Sequence, residues 1–340
     1  MEDQISLIIP CYNCETVITD CVTAIVRGST LPQEIILVDD CSLDGTLKQL
    51  EELSRAHIGL VRVATTEQNS GPATARNVGV RAAQGTILFF VDSDTQLAPN
   101  ALELFNQQIK NCDAVVGVYS EMPLNSGYVP LYKAWLYMTI LGGKCVSPYD
   151  QFSASCAGIR TQVFWDVGGY DEWFKPGMDL ENEEFGHRIA ASARMVIDPS
   201  IRAAHHFPGF LKMMRTFFLR TALWLEMFSV RRQFNNVGGT ASQGLSTMAA
   251  LGAVCTIPII AIHPAILWIV PTGLLLWHIW GGRGFYIFVC ERKVRLLPIM
   301  LILNFLGSLA IASGACFGLL RVITGTSKIV NRFSRLLGKS

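Results

Sequence analysis

The sequence predicts an α/β domain built on a mostly parallel sheet, followed by a C-terminal α-helical membrane region. Three observations lead there. Short apolar runs alternate with segments of helical period through the N-terminal part of the chain. The best of these runs end in proline or in acidic residues. Charged residues, ordinary in frequency up to about Arg232, nearly vanish beyond it except in two basic clusters. Strand–helix alternation with short connections favours parallel pairing, and in such sheets ligands bind at the carboxyl ends of the strands.

The elements follow in order. Ile5 to Pro10 is a short apolar run closed by proline and reads as a buried strand. Val17, Ile18, Cys21, Ala24 and Ile25 recur at helical spacing and predict a helix over residues 15 to 27. Glu34 to Asp39 is a second buried strand ending in acid. A Ser/Asp/Gly turn, a helix through about Arg55 and a short strand near Leu60 to Ala64 come next. A Gly-rich turn leads into a helix at Ala73 to Ala83, and Thr86 to Val91 is a further strand closed by acids. Met195 to Ile197 reads as one more strand.

Past Phe207 the character changes. Phe210 to Val230 mixes large apolar residues with Lys212, Arg215, Arg220 and Glu226, as in an amphipathic helix lying at a membrane surface. Asn235 to Ser246 has linker composition. Three apolar runs follow, Met248 to Ile262, Ala265 to Ile279 and Leu296 to Leu320. A span needs roughly 20 apolar residues, so the last qualifies alone, while the first two form either a hairpin broken at His263-Pro264 or one kinked span. The expected division is therefore an α/β domain over 1–208, an interfacial helix over 209–234, two to four transmembrane segments over 245–320 and a basic tail over 321–340. The loop carrying Arg283, Arg292, Lys293 and Arg295 and the tail carrying Arg321, Lys328, Arg332, Arg335 and Lys339 are both basic. The charge rule therefore leaves the topology open.

Composition narrows the function classes. Half of the 340 residues are hydrophobic and 16% are charged, against about 25% charged in an ordinary soluble domain. A formal net charge of +1 supplies no basic field, so nucleic acid is not an expected partner. Ten scattered cysteines suit a reducing compartment. Cys11 and Cys14 make a C-x-x-C without a second pair, so a core role is favoured over a metal or redox one. No signal peptide precedes Ile5, so the N-terminal domain is expected in the cytoplasm, at a cell membrane that the chain is expected to cross several times.

The chemistry concentrates at strand ends. Asp92-Ser93-Asp94 follows an apolar strand, and two carboxylates two residues apart can face a hard cation whose remaining positions go to water and diphosphate oxygens. Mg2+ or Mn2+ there would neutralise a departing diphosphate. The bland alternative is a solvated turn. Asp39-Asp40 closes the preceding strong strand in the same way and could accept from a base N–H and ribose hydroxyls. Asp44-Gly45 suits a turn, with Ser42 or Asp44 capping the next helix. Asn69 to Asn77 opens a helix with Arg76 in its first turns, an arrangement that favours a phosphate.

Four segments together resemble the family 2 glycosyltransferases of GT-A fold: ISLIIPCYN (5–13), EIILVDDCSLDGT (34–46), NSGPATARN (69–77) and FVDSD (90–94), in that family's order and spacing. The resemblance continues more weakly to about residue 208. It implies that Pro10, Tyr12 and Asp40 grip the nucleotide base and that Arg76 reaches phosphate or ribose. It also implies that Asp92 and Asp94 bind the metal and the sugar nucleotide, UDP- or GDP-linked. Ala157 to Arg160 and Val167 to Phe174 match its acceptor-side segment. Leu180 to Ile189 matches its Glu-Asp-x-Asp/Glu-Leu-x-x-Arg helix, whose Asp is the general base of inverting transfer.

Here Asn182 stands at that position and cannot serve. Glu181 is favoured as its replacement and Glu184 next, their i, i+3 spacing placing both on one helix face. The alternative is an ordinary acidic first turn. A phosphate acceptor would need no base, so Asn182 itself favours a lipid-phosphate acceptor. The resemblance further implies a metal-ligating histidine late in the domain, at His205 or His206. Arg220 to Trp224 is similar, imperfectly, to the Gln-x-x-Arg-Trp motif of processive polysaccharide synthases, but lacks its Gln. The resulting expectation is inverting, metal-dependent transfer of a sugar to a membrane-associated acceptor in glycolipid or cell-surface polysaccharide synthesis. A processive synthase and a catalytically silent nucleotide-sugar-binding scaffold are the alternatives.

Overall fold

The computed structural model describes residues 4–143, 145–178, 180–233, 240–260 and 268–336. The chain divides into two compact units, Met1–Asn125 with Leu141–His206, and Ser126–Ile140 with Phe207–Ser340.

The first unit is a mixed sheet with helices on its faces. Strands β1 (Ile5–Cys11), β2 (Glu34–Asp39), β3 (Val61–Thr65) and β4 (Ile87–Phe90) run parallel, in the spatial order β3-β2-β1-β4. They are connected through α1 (Ile18–Val26), α2 (Thr46–Ala56) and α3 (Pro72–Ala82). Beyond β4 the sheet continues with β8 (Ala157–Arg160), antiparallel to both neighbours, then β6 (Ala114–Tyr119), β9 (Met195–His205) and β5 (Thr95–Leu97). A two-residue β7 (Ser147–Pro148) pairs with β9.

Strands β1, β2 and β4 are buried on both faces, as their near-continuous apolar runs require. Leu7 and Ile9 join Ile18, Cys21, Val22 and Ile25 of α1 in one core. Ile8 points to the opposite face, where α3 approaches so closely that a Cβ on Gly79 would meet its side chain. Each fully buried aliphatic side chain here contributes about 1.5–3 kcal/mol. Cys11 and Cys14 are buried, free and in side-chain contact, and the Thr46 hydroxyl donates to Cys14 Sγ at 3.9 Å. The C-x-x-C therefore belongs to the packing of the β1 end.

The second unit is helical. It includes α5 (Tyr128–Leu141), lifted out of the span expected for the catalytic domain, and α8 (Phe210–Arg231). The described part continues with α9 (Ala241–Ile260), α10 (Ile269–Gly281), α11 (Arg283–Lys293), α12 (Leu297–Ile323) and α13 (Lys328–Leu336). Arg283 to Ile323 is helical over 41 residues with a mean hydropathy of 2.1 in its most apolar window, long and apolar enough to cross a membrane. Among the described residues it is the one helix that meets that test, α9 and α10 offering only shorter apolar stretches. The expectation of several passes is reduced accordingly. The His263-Pro264 break and residues 235–239 of the expected linker lie outside the described residues, whereas Ala241 to Ser246, read as linker from their composition, already belong to α9.

Helix α8 packs along α12 through glycines. A Cβ on Gly314 would collide with the Phe218 carbonyl, and one on Gly318 with that of Ala222. Glu226 of α8 is fully buried, with the Arg321 guanidinium at 2.9 Å and the Ser327 hydroxyl donating at 2.6 Å. The polar stripe that suggested a helix lying on a surface therefore includes one residue turned into a helix pair.

Candidate active site

The loops after β1, β2 and β4 and the start of α3 meet at the carboxyl ends of the strands. Asn13, at the end of β1, adopts a positive φ of 49° and its side-chain carbonyl accepts from Leu43 N–H at 2.8 Å. The Ser42 hydroxyl accepts from Asn13 N–H at 3.1 Å, so the first two loops are tied together. Pro10 is half-buried at this edge and Tyr12 is 42% exposed, available to a planar ligand. Asp44 accepts from Thr46 N–H at 3.0 Å, an Asx turn just before α2, whose N-cap is Gly45 without a side-chain cap bond; the expected helix cap is a turn instead.

Asp40 is buried and clamps the loop before α3. Its carboxylate accepts from Ser70 N–H at 3.0 Å, from Gly71 N–H at 2.7 Å and from the Thr66 hydroxyl at 2.7 Å. A carboxylate offers about four lone-pair sites, so one is left for a base N–H. Gly71 has a φ of 91° and lies against Pro176, a conformation and a space that only glycine suits.

Arg76 is buried and bridges two carboxylates, Asp92 at 2.9 Å and Glu181 at 3.1 Å, with the Tyr170 ring centroid 5.3 Å away. Despite burial, which opposes its charge, Tyr170, Asp92 and Glu181 hold the guanidinium protonated. Its first task is thus to orient Asp92 and Glu181. Tyr170 is set in place by Asn77, whose amide donates to the Tyr170 carbonyl at 2.9 Å and accepts from its N–H at 3.1 Å. The Tyr170 ring packs 4.3 Å from Phe185 and edge-on to Phe90. Sequence reading missed Tyr170; the signal was the Gly168-Gly169 pair before it, both at positive φ.

Asp92 and Asp94 take different partners. While Asp92 turns to Arg76, Asp94 Oδ1 lies 3.3 Å from His205 Nε2. Register explains this: β5 pairs antiparallel with β9 so that Thr95 is opposite His205, and His206 N–H donates to the Asp94 carbonyl at 3.0 Å. Tyr119 packs edge-on to His205 with centroids 5.0 Å apart. Burial raises the Asp94 carboxyl above its ordinary range, the nearby His205 opposing and Asp92 reinforcing the shift. Among the described residues no group of three His, Cys, Asp or Glu side chains forms a complete metal site.

Helix α7 (Glu181–Ser192) presents the remaining candidates. Glu184 is held by Arg188 through both oxygens, at 2.6 and 2.7 Å. Glu181 gives one oxygen to Arg76, and burial lifts its carboxyl above the usual range although Arg76 opposes the shift. Asn182 accepts from the Tyr170 hydroxyl at 3.2 Å, a structural role at the position where a base was expected.

Residues 6–168 match the family described as Glycosyl transferase family 2. Relatives include Glycosyltransferase GlyG of Streptococcus pneumoniae, 33% identical over 134 residues that cover 39% of this chain and 44% of that protein. Another is the Poly(ribitol-phosphate) beta-glucosyltransferase of Bacillus spizizenii, 36% identical over 102 residues covering 29% of this chain and 16% of that protein. The matched segment thus spans less than half the length of either relative. Among solved structures, the mannosyltransferase PcManGT from Pyrobaculum calidifontis, in complex with GDP-Man and Mn2+, aligns with a TM-score of 0.59 at 15% identity, covering 96% of this chain and 89% of that one. GalNAc-T7 with UDP, GalNAc and Mn2+ aligns with a TM-score of 0.51 at 18% identity, covering 68% of this chain and 50% of that one. The two structures share the fold. Residues 6–168 are therefore a segment of the glycosyl transferase family 2 type, in a chain that has the GT-A fold of both structures.

Proposed function

We propose that the chain transfers a sugar, with inversion, from a nucleoside diphosphate donor to a lipid-linked acceptor at a membrane. The observation that carries this reading is the meeting of Asp94 with His205 beside the Arg76–Asp92–Glu181 network at the strand ends. A carboxylate and an imidazole within 3.3 Å suit Mn2+ better than Mg2+, since imidazole nitrogen is a softer ligand than oxygen. Asp94 and His205 would hold the ion, His206 and Asp92 standing near Asp94 as the neighbouring charges. When bound, the metal would neutralise the diphosphate leaving group. Tyr12 offers a stacking face for the base and Asp40 one free acceptor site, with Pro10 shaping the edge between them. Arg76 holds Asp92 and Glu181 in fixed orientation.

Of the two candidate bases, Glu181 is the better proton acceptor. Glu184 spends both oxygens on Arg188, whereas Glu181 keeps one clear of Arg76 and sits in surroundings that favour its protonated form. The lipid-linked acceptor draws its support from the long apolar helix, and from relatives whose names place them on poly(ribitol-phosphate) polymers.

The test is release of nucleoside diphosphate by the full chain in membranes, from a panel of nucleotide sugars with Mn2+, with and without lipid extract. Wild type should show lipid-dependent release from one donor, and Asp94→Ala should lower it by about two to three orders of magnitude. Donor binding without any turnover would instead favour a silent binding scaffold.

A further inference from the structure

Among its described residues the helical unit contains a cation with no carboxylate to meet it. Lys133 of α5 is 4% exposed, and among the described residues no ion-pair partner reaches its ammonium. Three aromatic rings surround it instead: Phe217 with its centroid 4.6 Å from Nζ, Tyr137 at 5.0 Å and Phe207 at 6.0 Å. Tyr137 and Phe207 stack on each other at 18°, which makes two of the walls one rigid surface. The third wall is set by a glycine: a Cβ on Gly307 of α12 would lie 3.1 Å from the Phe217 ring and 3.0 Å from the Tyr132 hydroxyl.

A polar chain lies beside this box within the same unit. Tyr132, the neighbour of Lys133, donates to Asn304 Oδ1 at 3.2 Å, and the Asn304 amide donates to the Tyr286 hydroxyl at 2.8 Å. Asn304 is buried within the apolar helix, where a polar side chain is costly and marks function more often than packing. Ring faces attract an ammonium but offset only part of its lost hydration. An anion would supply the remainder. The surrounding unit carries the long apolar helix, so the anion most readily delivered there is the headgroup of a lipid.

We propose that Lys133, within its Tyr137–Phe207–Phe217 box, is the seat for the phosphate of a membrane lipid. It rests on the reading of a lipid-linked acceptor and deepens it by naming the acceptor's charged group and the residue that receives it. The rings keep the ammonium oriented and partly dehydrated before the phosphate arrives, so less reorganisation accompanies binding.

The experiment uses the full chain in phosphatidylcholine nanodiscs doped with either a short-chain polyprenyl phosphate or phosphatidylglycerol. Retention of each lipid is measured for wild type, Lys133→Met and Lys133→Arg, with nucleotide-sugar binding followed in parallel. Met keeps the length of the stem without its charge and Arg keeps the charge, so folding and charge effects separate. Lys133→Met should weaken polyprenyl phosphate retention by about tenfold or more, and Arg should restore most of it. Preference for polyprenyl phosphate identifies the acceptor, while equal retention of phosphatidylglycerol identifies a bulk headgroup; either supports the phosphate seat. Retention unchanged in Lys133→Met overturns it and assigns the ammonium to packing alone. Failure of nucleotide-sugar binding in wild type would count against the transferase reading and leave the lipid measurement standing.

Discussion

The strand-end site and the helical unit both bury charge, and they treat it differently. At the strand ends buried charges are tied to several loops at once: Asp40 receives three donors and Arg76 spans two carboxylates. In the helical unit the partners are few: among the described residues Glu226 meets Arg321 and Ser327, and Lys133 meets only ring faces. Multiple partners drawn from separate loops fix orientation, which a reacting centre requires. Sparse partners leave a charge dependent on packing, or on a ligand.

The sharpest way to break the contrast is Arg76→Met. It strands Asp92 and Glu181 without their guanidinium and should destabilise the first unit by about 3–5 kcal/mol, read as a shift in denaturant midpoint. An unchanged midpoint would mean that the network orients nothing. Glu226→Gln is the matching test in the helical unit. The amide keeps its shape and its bond from Ser327 but loses the charge facing Arg321, costing about 1–3 kcal/mol in detergent melts while nucleotide binding stays at its wild-type value.

Gly314→Ala probes packing alone. Its new methyl meets the Phe218 carbonyl, and the expected loss is about 1–3 kcal/mol, because the backbone cannot yield as a side chain would. The smallest effect belongs to Lys48→Ala. Its partner Glu52 lies 4.0 Å away on an exposed helix face, so stability should stay within about 0.5 kcal/mol by the same melt. A larger change there would undo the distinction between charges that are organised and charges that are merely paired.

Much of the first unit was legible because its best strands are short apolar runs closed by proline or by acids. The run Glu34 to Asp39 is β2 residue for residue, and the predicted helix at Ala73 to Ala83 is α3 shifted by one. Strands β5 and β6 were not read. Thr95 to Leu97 is too short to show a period, and Ala114 to Tyr119 lacks the acidic close that marked the others. The site was legible as a set of residue types, but not as a set of partnerships. Asp92 and Asp94 read as one metal-binding pair, yet the fold gives the first to Arg76 and the second to His205.

By itself the sequence determined the α/β alternation, the strand-end carboxylates and the long apolar run, since each is written in neighbouring residues and a fixed period. Only the tertiary structure decided that Arg76 joins Glu181 across 105 positions and that β5 sets Thr95 opposite His205. The same holds for residues 126–140, which leave the first unit to place Lys133 among rings of the second. The physical reason is the same in each case. A buried charge takes its role from whichever donors, acceptors or ring faces the fold brings near it, and no local pattern encodes a neighbour a hundred residues away.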